Sequence, residues 1–133
     1  MIHTIACFGE AEKGDFHKAY FCNNLAQLSQ YLGEPPSADS KGLMLAIQAL
    51  LFQADVIFFR VHEEGFSSHD YFKGLDFLEN KKVTPQLSAI CLPGVGSYEI
   101  IEATTPLCST YHSFLILTEQ DLYDYLTDRP SQK

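Results

Sequence analysis

At 133 residues the chain has the length of one domain, enough to bury about two thirds of its unfolded surface and to fold without disulfides or metal. A formal charge of −8 argues against a broad basic face for nucleic-acid polymers, although backbone amides at a helix start still suit a small anionic ligand. With 46% hydrophobic and 20% charged residues, a globular chain with one core is expected.

Ile2 to Phe8 is a short β-prone run stopped by Gly9, a first strand meeting a loop. Asn23 or Asn24 can cap a helix whose Leu25, Leu28 and Leu32 recur at spacings of three and four, with Gly33 closing it. Pro35-Pro36 enforces an extended linker. Ser40 is placed to cap the next helix, apolar at nearly every position from Leu43 to Phe52 and therefore covered on most sides. The run from Gly42 to Phe52, broken only by Gln48, is too short to cross a bilayer.

Val56-Ile57-Phe58-Phe59 reads as a strand covered on both faces, which calls for a parallel sheet. Ser67 or Ser68 can cap a helix through Leu78, and Pro85 blocks its continuation beyond Glu79 to Lys82. Leu87 to Leu92 is a third strand, Tyr98 to Cys108 a helix, Ser113 to Leu117 a fourth strand and Glu119 to Thr127 a last helix. Strands alternating with helices predict an α/β fold of Rossmann-like type: a three-layer parallel sheet of about four strands with helices on both faces. The domain is expected over residues 1–128, with 129–133 a frayed tail.

Cys7, Cys22, Cys91 and Cys108 form neither a CxxC pair nor a zinc-like spacing and read as buried free thiols, which points to the reducing cytoplasm. No basic segment followed by an apolar stretch opens the chain, so no secretory signal and no membrane partner are expected.

In such sheets ligands sit beyond the carboxyl ends of the strands, where strand order reverses. That rule selects 9–15, 60–65 and 93–97. The strongest local signal is Pro93-Gly94-Val95-Gly96-Ser97, followed by Glu99: a turn with two glycines, then a helix start capped by Ser97. Glycines let the backbone approach a phosphate, and free N–H groups of a first helical turn point at it. A purely structural turn that needs glycine for its dihedrals is the competing reading. Gly9-Glu10-Ala11-Glu12-Lys13-Gly14 has the glycine spacing of a phosphate loop but lacks the Lys-Ser/Thr beyond it. His62-Glu63-Glu64 with His69 lacks the HExxH spacing of a zinc site and reads as a solvated loop, so no metal and no cofactor are expected.

Taken in order, Ile5-Ala6-Cys7-Phe8-Gly9, Gly42-Leu43-Met44, the Leu92 to Glu99 segment and Tyr123-Asp124 resemble the LOG-type (lonely guy) phosphoribohydrolases, a group of Rossmann-like nucleotide-binding proteins. Val95, Ser97 and Ile100 stand where that family has glycine, threonine and a second glutamate. Lys81-Lys82 is no clear equivalent of its Arg-Lys pair. The resemblance implies a shortened, degenerate relative that binds a nucleotide or sugar phosphate without robust catalysis. Gly9, Glu10, Pro93, Gly94, Val95, Gly96 and Ser97 would then be its ligand contacts, and Glu99 the acid of any N-glycosidic hydrolysis. The alternative is a non-enzymatic interaction module, homodimeric or with a protein partner, anchored by Tyr71, Phe72, Tyr123 and Tyr125.

Overall fold

Five of the six side chains in Thr4–Gly9 are apolar or small enough to vanish into a core, and in the computed structural model this strand is buried along its whole length. The structure describes residues 3–81 and 87–127; Lys82, Pro85 and the expected tail 129–133 lie outside them. Elements follow as β1 (Thr4–Gly9), β2 (Ala19–Cys22), α1 (Leu25–Leu32), α2 (Gly42–Leu51), β3 (Asp55–Arg60) and α3 (Ser68–Lys81). After these come β4 (Leu87–Cys91), α4 (Tyr98–Ala103), α5 (Thr105–Tyr111), β5 (Phe114–Ile116) and α6 (Glu119–Thr127).

The sheet has order β2-β3-β1-β4-β5. β1 pairs in parallel with β3 and β4, and β4 in parallel with β5, as the doubly covered apolar runs require. Alternate residues serve opposite faces. Ile5, Cys7, Val56, Phe58 and Ala89 meet Leu28 and Leu32 of α1, Leu45 and Ala49 of α2 and Leu122 of α6. Ala6, Phe8, Ile57, Phe59 and Ile90 meet Tyr71, Leu75 and Leu78 of α3, with Ile100 and Leu107 beyond. The result is the expected Rossmann-like arrangement of three layers.

Three details differ from the sequence reading. A fifth strand, β2, lies antiparallel to β3 at the sheet edge, because the chain turns back through Gly14 and the left-handed His17 instead of running directly to α1. Ser40 does not cap α2: its hydroxyl donates to Glu10 Oε1 at 2.8 Å, and Lys41 occupies the cap position with no side-chain bond. The single helix expected over 98–108 is two, since Thr104 closes α4 onto Ile101 and Pro106, in the first turn of α5, has no N–H to continue the ladder. Asn24, by contrast, caps α1 by accepting the Gln27 amide, and Gly33 ends it.

Candidate functional site

β1 sits between β3 and β4, so successive connections leave it in opposite directions and strand order reverses beside its carboxyl end. Three segments meet there. Val61 donates its amide to Gly9 O at 2.9 Å, fastening the exit of β3 to the exit of β1. Gly65 approaches Gly94 so closely that a Cβ on Gly65 would collide with the Gly94 carbonyl oxygen. The 9–10, 61–65 and 92–97 segments therefore form one surface at this edge of the sheet.

The first of these segments is closed by the protein itself. A Cβ on Gly9 would lie 2.5 Å from Gly42 Cα, so only glycine lets the amino end of α2 come down onto the β1 loop. Glu64 then fills the space in front of it. Its Oε2 accepts the amides of Glu10 and Gly42, both at 2.9 Å, and its Oε1 accepts that of Lys41 at 2.8 Å. Glu10 reciprocates by accepting the Glu64 amide at 3.0 Å. The carboxylate thus stands where a helix start would otherwise hold an external anion. Both the amide and the carboxylate of Glu10, placed among the ligand contacts by sequence, are engaged within the protein.

The 93–97 turn is different. Pro93 and Val95 are buried, Gly94 and Gly96 are exposed, and Ser97 is half-buried. Val95 donates to Leu92 O at 3.2 Å, and Ser97 caps α4 by accepting the Ile100 amide at 3.5 Å. The amides of Gly96, Ser97, Tyr98 and Glu99 find no acceptor among the described residues. Glu99 lies exposed in the first turn of α4.

The two glycines of the turn have different reasons to be there. Gly94 has φ of 81°, a left-handed conformation that a side chain resists. Gly96 has no such angle, and a Cβ built on it would meet nothing within 4 Å.

A second cluster, which sequence reasoning missed, lies toward β2. Asp70, buried in the first turn of α3, accepts the His62 amide and ring Nδ1, each at 2.8 Å, and bonds His17 Nε2 at 2.7 Å. Burial pushes the Asp70 carboxyl up, but the bonds from His62 and His17 outweigh it and hold it below the ordinary carboxylate range. The His62 ring stacks on Phe16 with centroids 3.6 Å apart, and the Arg60 guanidinium lies over the Phe16 ring, 4.3 Å from its centroid. Arg60 also donates to Gly14 O, so it is committed to this corner.

Burial pushes the Tyr71 hydroxyl up, so it stays protonated and accepts the Gly65 amide at 2.7 Å. The loop read as merely solvated is thus fixed by Asp70, Tyr71 and its own Glu64. Among the described residues no three or more of His, Cys, Asp and Glu converge as a metal-holding group. Nor is any described helix long and apolar enough to cross a membrane. Compared with family models, curated proteins and solved structures, the chain finds no match in any of the three.

Proposed function

We propose that the chain binds a small phosphorylated ligand, a nucleotide or sugar phosphate, on the Gly94–Ser97 turn, as a degenerate LOG-like protein without robust catalysis. One observation carries this reading: Gly96 is a glycine that the fold does not require. Neither its dihedrals nor its neighbours exclude a side chain, yet the hydrogen left there keeps the backbone open beside amides that have no acceptor among the described residues. A phosphate resting on those amides needs that open approach. α4 is only 6 residues long, so the turn's own N–H groups, more than a helix dipole, would hold the anion.

Glu64 directs an external anion to the turn, because the neighbouring amides of α2 already carry its carboxylate. The test is calorimetric titration with adenosine monophosphate and ribose 5-phosphate. Binding is expected in the wild type and a loss of at least about tenfold in Gly96→Ala, whose methyl occupies the approach while the fold is unaffected. Equal affinity in the folded Gly96→Ala protein, or no binding by either compound to the wild type, refutes the proposal.

The interaction-module reading rests on Leu51 and Phe52, 64% and 44% exposed at the end of α2. Of the four anchors named by sequence, Tyr71 is fully buried and Tyr125 half-buried; Phe72 and Tyr123 are exposed. Sedimentation of the wild type against Leu51→Ser decides it: a dimer lost on substitution favours this reading, and a monomer in both removes self-association through that face.

A further inference from the structure

We propose that His62 is a phosphoryl-accepting nucleophile: its Nε2 takes a phosphoryl group from a small donor, while Asp70 holds the ring and balances its charge. The proposal does not depend on the reading of the Gly94–Ser97 turn. His62 follows β3 across Val61, at the carboxyl edge where sheets of this kind hold ligands. Its contacts fix the ring. Asp70 Oδ2 accepts both its backbone amide and its Nδ1, each at 2.8 Å, and the Phe16 ring lies 8° from parallel with it. The Asp70 side chain is 3% exposed, whereas that of His62 is 61% exposed.

An ionised carboxylate only accepts, so the ring nitrogen facing Asp70 carries the proton. The lone pair of His62 is therefore on Nε2, which has no hydrogen-bond partner among the described residues. A free nitrogen on an exposed ring, with a carboxylate behind the other nitrogen, is the form in which an imidazole attacks. His17 meets the same carboxylate through Nε2, which leaves it only Nδ1, the nitrogen crowded by its own backbone. Arg60 selects an anionic electrophile. Its guanidinium lies over the Phe16 ring on which His62 stacks, it makes no ion pair among the described residues, and its Nε is buried without a partner. Such a cation favours a phosphoryl group over a neutral acyl group. With phosphoramidate as donor, the Nε2 lone pair forms the new N–P bond, the donor's P–N bond breaks, and ammonia leaves with its electron pair. Nδ1 keeps its proton, and the positive charge gained by the ring faces the Asp70 carboxylate.

The experiment incubates the wild type with potassium phosphoramidate, follows each histidine by peptide mass at alkaline pH, and identifies the modified nitrogen by NMR. His69 and His112, exposed and with no hydrogen bond to their rings among the described residues, are references within the same molecule, so the result does not hang on a variant folding. His62 is expected to be modified on Nε2 at least about tenfold faster than either reference. Asp70→Asn, checked for its fold by circular dichroism, is expected to remove that advantage, His62→Gln to remove the fast phase, and His69→Gln to leave it unchanged. Equal rates at His62, His69 and His112 in the wild type, or a phosphoryl group carried on Nδ1, overturn the proposal. An unchanged rate at His62 in folded Asp70→Asn overturns the part given to Asp70.

Discussion

The carboxylate of Glu64 accepts the Gly42 amide across 22 positions of chain and so supplies the cap that Lys41, at the cap position of α2, does not. Replacing Glu64 by alanine leaves the amides of Glu10, Lys41 and Gly42 without their acceptor. Water reaches part of this half-buried site, so the expected loss is about 2 kcal/mol, below the sum of three charge-assisted bonds. Urea unfolding measures it, and an unchanged midpoint would show that Glu64 is not the cap.

Glycine substitutions separate packing from function. Gly42→Ala drives a methyl into the backbone of Gly9 and Phe8, with no flexible side chain able to yield, and is expected to cost about 3 kcal/mol. Gly96→Ala meets open space and should change stability by less than about 0.5 kcal/mol. Thermal melts of both, recorded together, test whether the helix-to-loop approach is as tight as described.

Acid stability should depend on Asp70. Its folded-state carboxyl is held below the ordinary value of 3.8, so its contribution is complete above that value and is lost as pH falls through the lower folded value. In wild type, urea stability therefore declines below about pH 4, and Asp70→Asn flattens that limb while lowering stability near neutrality. A variant with the same acid limb as wild type would remove Asp70 from this role.

Glu99 decides the enzymatic alternative. A panel of nucleoside monophosphates is expected to release no free base at a rate above the uncatalysed one, because Glu99 makes no ion pair among the described residues and Arg60 is bound to Gly14 and Phe16. Turnover that disappears in Glu99→Gln would overturn this and restore hydrolysis.

The four strands that carry the core were legible because Ile5, Val56 to Phe59, Ile90 and Ile116 sit in continuous apolar runs that only a covered sheet explains. β2 was not. Ala19 to Cys22 is an apolar run of four residues between Lys18 and Asn23, too short to stand out, and only the pairing with β3 makes it a strand. Pro93 to Ser97 was visible as punctuation, and its position at the reversal of strand order followed from the topology. Glu64 and Asp70 were not visible as anchors. Their partners, Gly42 at 22 positions and His17 at 53, are brought near only by the fold, and neither residue carries a local spacing that betrays it.

Cys7 and Cys91 are register partners on adjacent central strands, both fully buried, and the bond to Cys7 together with burial holds the Cys91 thiol well above its ordinary range. Neither sulfur is a nucleophile while β1 and β4 stay joined. A thiol-labelling reagent would thus act as a clock for rupture of the sheet's middle seam: half-buried Cys108 reacts early, and the inner pair reports the slowest opening of the molecule.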